Sequence, residues 1–90
     1  MKNQAPPSEP PIQPTYQPTS EQITRIKRNF RYHTPTSNQP ARYEAIRAYA
    51  RNFAELICEE TPASREQSLA LTKLEEAVMW ANAAIARNEP

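Results

Sequence analysis

Proline placement partitions this chain before any other feature acts. Six of its ten prolines lie in residues 1–18, MKNQAPPSEPPIQPTYQP, and the next three are Pro35, Pro40 and Pro62. A proline fixes φ, removes a backbone donor and disfavours helical geometry in the residue before it. Helices are therefore confined to the segments between these breaks. Glycine is absent altogether, where average usage of about 7% would supply about six. That removes every phosphate-binding loop built on glycine, the P-loop and the dinucleotide fingerprint included. A phosphate on this chain would have to be held by side chains or helix ends.

From Thr19 onward the pattern is helical. TSEQITRIKRNF sets Thr19 and Gln22 at capping-box spacing and then places Ile23, Ile26 and Phe30 on one side, which predicts a short amphipathic helix. HTPTSNQP breaks it with two prolines and a cluster of turn formers. A longer helix is expected over Ala41–Glu60, its apolar stripe formed by Ile46, Ala50, Phe53 and Ile57 with Tyr49 and Leu56 alongside, and its end fixed by Thr61-Pro62. The last helix opens with Ser64 and Gln67 as an S-x-x-Q box, carries Glu66 at its positive end, and shows a stripe of Leu71, Leu74, Val78, Ala81 and Ile85. Arg65 beside the cap suits an ion pair across the turn with Glu59 or Glu60. About three residues separate the two long helices, so they are expected to form an antiparallel hairpin.

The fold class is thus all-α: a short N-terminal helix plus a two-helix hairpin over residues 19–90, preceded by a disordered or polyproline-like arm over 1–18. The arm lacks the basic start, apolar core and cleavage site of a secretory signal. No apolar run approaches the ~20 residues of a membrane span, and an intracellular location is expected. The single cysteine, Cys58, makes no internal disulfide and reads as a small buried side chain rather than a nucleophile; with one histidine there is no metal-ligand set. A hairpin of this size without disulfides or metal calls for oligomerisation. The alanines of the last helix (Ala77, Ala81, Ala83, Ala84, Ala86) let helices approach closely, and a second stripe of Leu69, Lys73, Glu76, Trp80, Ala83 and Arg87 turns Trp80 away from the hairpin seam, toward another chain or a ligand.

Charge is segregated within a net of +1: residues 25–53 hold seven of eleven cations and one acid, whereas residues 54–90 hold three cations and seven acids. The densest part is RIKRNFRYHTP, with four cations, two aromatic rings and the only histidine, and no carboxylate. A hairpin folded about Pro62 sets Tyr43 near Ala81 and collects Phe30, Tyr32, His33, Tyr43, Arg47, Asn82 and Arg87 at its open end. Tyrosine faces stack on nucleobases, arginine forks hold phosphates, and asparagine reads a base edge. No nucleophile–base pair accompanies them, so no catalytic residue is assigned and binding without chemistry is expected. Ordinary roles compete for each residue: Arg87 complements a helix dipole, Tyr43 and Arg47 fit a solvated face, His33 fits a turn, and Lys73 with Glu76 forms a surface pair.

RYHTP, EAIRAYARNFAELI and SREQSLALTKLEEAVMWANAAIAR resemble the hairpin domain of bacteriophage anti-CBASS cyclic-nucleotide sponges, a domain shared with one class of anti-Thoeris sponge; the resemblance covers about residues 29–88. It implies a helical homo-hexamer in the cytoplasm of the infected bacterial host that sequesters cyclic oligonucleotide signals without degrading them. It implies cyclic dinucleotides, such as 3′,3′-cyclic GMP-AMP, bound between protomers through Tyr32 of RYH and Arg47 of AIR, and in several members cyclic trinucleotides held at separate sites through Arg87 of AIAR. Phe30 and His33 join the first set by position, and Asn82 and Tyr43 the second. Arg47 offers a planar fork, which is not equivalent to a lysine ammonium. The anti-Thoeris relatives also bind cyclic ADP-ribose isomers. No cofactor, metal, membrane or DNA is expected as a partner. The competing reading is an oligomeric helical adaptor that binds linear nucleic acid or a protein through the same basic segment.

Overall fold

The computed structural model describes residues 14–90, so most of the arm expected over 1–18 lies outside the described residues. Three α-helices follow in order, α1 (Ser20–Asn29), α2 (Gln39–Glu60) and α3 (Arg65–Asn88), with no strand among the described residues. None of these helices is long and apolar enough to cross a membrane. The chain divides between Arg31 and Tyr32 into two compact units.

The first unit contains α1. Its start is a complete capping box, with Gln22 N–H donating to Thr19 Oγ1 at 3.0 Å and Thr19 N–H donating to Gln22 Oε1 at 2.9 Å. Glu21 in the first turn and Lys27 and Arg28 in the last complement the macrodipole. Ile23, Ile26 and Phe30 are all exposed.

The second unit is the hairpin. α2 begins at Gln39, two residues earlier than its sequence suggests, because Pro40 falls in the first helical turn, where a missing N–H leaves no hydrogen bond unmade. It ends at Glu60 before Thr61-Pro62 as expected. α3 starts behind Ser64, whose hydroxyl accepts from Gln67 N–H at 3.1 Å. Here the box is only half formed: the Gln67 amide donates across the turn to Thr61 O and Oγ1, both at 3.0 Å, tying the interhelical loop to α3. Arg65 pairs with neither Glu59 nor Glu60 among the described residues; the nearby ion pairs are Arg51–Glu55 and the expected Lys73–Glu76.

α2 packs along α3 through a half-buried row on each helix, and Asn82, Ala83, Ala86 and Arg87 in the last turns of α3 are half-buried as well. The α3 row is the predicted stripe, Leu71, Leu74, Val78, Ala81 and Ile85, and Ile85, 8% exposed, is the one buried hydrophobic residue among those described. The α2 row runs Gln39, Tyr43, Ile46, Ala50, Ala54 and Ile57. Ala54 takes the place expected for Phe53, which is 53% exposed. Both residues satisfy three- and four-residue spacing between Ala50 and Ile57, so the period alone does not choose between them. Tyr49, Leu56, Leu69 and Met79 are also exposed, and Trp80, turned from the seam as expected, is 61% exposed. Cys58 is exposed rather than buried. A single chain thus leaves most of the large apolar side chains among the described residues exposed.

Candidate functional site

The open end of the hairpin is built by the first turn of α2 and the last turn of α3. Between Tyr32 and α2 the chain must reverse without glycine, and Ser37 takes the left-handed conformation at φ 52°. Such a residue costs of order 1–3 kcal/mol and persists only where its surroundings hold it. Two hydrogen bonds hold it here: Gln39 N–H donates to Thr36 O at 2.9 Å, and Thr36 N–H donates to Gln39 Oε1 at 3.0 Å. Gln39 is the one buried polar residue among those described.

The other end of the Gln39 amide meets the end of α3. Its Nε2 donates to Glu89 Oε1 at 2.9 Å, and the Arg42 guanidinium straddles the same carboxylate, donating to Oε1 at 3.0 Å and Oε2 at 2.5 Å. Arg42 also donates to Asn38 Oδ1 at 3.2 Å, so Asn38 supports the arginine rather than capping its own helix. The Arg42 fork, and then the Gln39 amide, pull the Glu89 carboxyl down to about 2, while Glu89 raises the Arg42 pKa. These pairings centre the hairpin near Ser64 rather than Pro62, so Tyr43 stands level with Ile85, about a turn beyond Ala81. The correction follows from the Gln67–Thr61 bonds, which make the turn part of the α3 start.

The candidate residues do not form one cluster. Tyr32 is 81% exposed at the start of the hairpin unit, with His33 half-buried beside it. Phe30 is exposed at the end of α1, in the other unit. Tyr43 belongs to the α2 row, and Asn82 follows Ala81 of the α3 row, both half-buried. Asn82 Oδ1 is buried with no hydrogen-bond partner, and such an acceptor costs about 1–3 kcal/mol until a donor reaches it. Arg87 is half-buried and lies about 140° around α3 from Asn82, given ~100° per residue. Arg47 is exposed, donates to Glu44 Oε1 in an ion pair at 2.8 Å, and lines a different surface. That surface is an apolar groove of about 680 Å³ along the hairpin, floored by Ala50, Ala54, Leu71, Leu74 and Val78 and containing Cys58.

The family model of the Acb2/Tad1 hairpin domain matches residues 22–86, from the first turn of α1 to the last turns of α3. This chain belongs to that family. The Acb2/Tad1 family is the anti-CBASS and anti-Thoeris sponge family, whose general role is to bind cyclic-nucleotide signals, and the helical hairpin described above is its domain. No curated protein and no solved structure matches the chain. Phe30, Tyr32, His33, Tyr43, Arg47 and Asn82 lie inside the matched segment, whereas Arg87 follows its last residue. Sequence reasoning passed over Gln39, Arg42 and Glu89. Their signal was an acid just past the last helical residue of α3, opposite a glutamine and an arginine at the first turn of α2, visible only once the hairpin register is known.

Proposed function

We propose that this protein is a sponge for cyclic oligonucleotide immune signals: it binds cyclic dinucleotides such as 3′,3′-cyclic GMP-AMP, and cyclic trinucleotides at a second site, and withholds them from CBASS effectors without cleaving them. Family membership over residues 22–86 carries the reading. The chemistry at the start of the hairpin unit supports it, since an exposed Tyr32 offers a stacking face next to His33. Arg47 supplies the cationic contact in this reading by exchanging Glu44 for a phosphate, and Arg87 with Asn82 and Tyr43 serves the trinucleotide. Protein and ligand meet in the cytoplasm of the infected bacterium.

The working unit in this reading is a homo-hexamer with ligand pockets between protomers. Support comes from the single chain, which buries one hydrophobic residue among those described and leaves Phe53, Leu56, Met79 and Trp80 exposed. Chains in which so much apolar area faces water associate.

Calorimetric titration with a panel of cyclic di- and trinucleotides, with light scattering in parallel, tests the proposal. Saturation at a fixed small number of ligands per oligomer is expected. A steep salt slope on single-stranded nucleic acid, with no saturable cyclic ligand, would replace the sponge by the adaptor that binds linear polymers.

A further inference from the structure

The contacts at the open end form a relay rather than a simple tie between helix ends. Glu89 is ionised, so its carboxylate accepts hydrogen bonds and donates none. It therefore fixes the orientation of the Gln39 amide, with Nε2 toward Glu89 at 2.9 Å and Oε1 left to face Thr36 N–H at 3.0 Å. A reversed amide would set NH2 against N–H at Thr36 and oxygen against carboxylate at Glu89. Arg42 holds the carboxylate in place by both of its oxygens. The charge at the end of α3 thus orients one of the two hydrogen bonds that close the Thr36–Gln39 turn around left-handed Ser37, the other being the backbone Gln39–Thr36 bond, and Tyr32 and His33 stand four and three residues before Thr36.

We propose that Glu89 is a positioning residue for the ligand site, acting through Gln39 to fix where the segment carrying Tyr32 and His33 leaves the hairpin. The proposal rests on the sponge reading for its ligand and on the hydrogen bonds alone for its relay. Glu89 touches no ligand in this scheme. It keeps the aromatic platform pre-set, which lowers the ordering cost of binding.

Three variants separate this role from a structural one. Glu89→Gln removes the charge that orients the relay. Gln39→Met cuts the relay while leaving the Arg42–Glu89 pair. Tyr32→Ala removes the platform itself. Each is titrated with 3′,3′-cyclic GMP-AMP, and exchange of the Thr36 amide is followed by NMR. Both relay variants are expected to speed Thr36 exchange and to weaken binding about two- to tenfold, with no further loss when combined and no effect in the Tyr32→Ala background.

Unchanged binding in Gln39→Met would overturn the proposal, because it would reduce Glu89 to a tie between helix ends. Unchanged Thr36 exchange in both variants would overturn the relay. If the wild-type protein bound no cyclic nucleotide while its Thr36 amide stayed protected, the sponge reading and the ligand half of this proposal would fall and the relay would stand.

Discussion

At the residue scale, function divides between side chains that are free to meet a ligand and side chains occupied in holding the fold. Tyr32 is of the first kind. If it stacks on a base, Tyr32→Ala removes about 1–3 kcal/mol and weakens dinucleotide binding roughly five- to over a hundredfold. If Arg87 lies in a separate site, Arg87→Ala is expected to reduce trinucleotide binding and leave dinucleotide binding nearly intact. Titrating both variants with both ligands decides the matter, and equal losses throughout would mean one shared site. Glu89 is of the second kind. Its pKa is depressed from an ordinary 4.5 to about 2, so its stabilising contribution is complete above the ordinary value and is lost as pH falls from 4.5 toward 2. The melting temperature of the wild type should drop more across that interval than that of Glu89→Gln; parallel pH profiles would show that the ion pair adds no net stability.

At the element scale, the helices were legible because their ends are written locally. Thr19 with Gln22, Ser64 with Gln67, and Thr61-Pro62 each act within a turn of chain, and the structure places α1, the end of α2 and the start of α3 where they direct. Ser64→Ala is accordingly expected to cost about 0.5–2 kcal/mol in a denaturant melt, with the m-value unchanged. What local signals do not fix is register. The Gln39–Glu89 and Arg42–Glu89 contacts join residues about fifty positions apart, and they follow from a loop whose Gln67–Thr61 bonds shift the centre of the hairpin beyond Pro62. The same register puts Tyr43 on the α2 row between the helices and leaves Arg47 beside the apolar groove, a separation that residue types alone did not show. Likewise Phe53 and Ala54 have equal claims by period, and only the packing of α2 on α3 selects Ala54.

At the scale of the whole molecule, the hairpin is incomplete by its own burial: among the described residues α2 and α3 bury one hydrophobic side chain and present Trp80, Met79, Phe53 and Leu56 to water. If self-association answers that deficit, as proposed, Trp80→Ala should shift the mass by light scattering toward smaller species and lower the melting temperature. An unchanged mass and melting temperature would take Trp80 out of the interface. Sequestration makes a simpler demand on the assembly, since a sponge must remove its ligand from solution and keep it whole. The direct test is to incubate the purified protein with 3′,3′-cyclic GMP-AMP, measure the free nucleotide, then heat-denature the complex and identify what is released. The account predicts that free nucleotide falls in proportion to added protein and returns intact and cyclic after denaturation. Free nucleotide that never falls, or a linear product after heating, would contradict it.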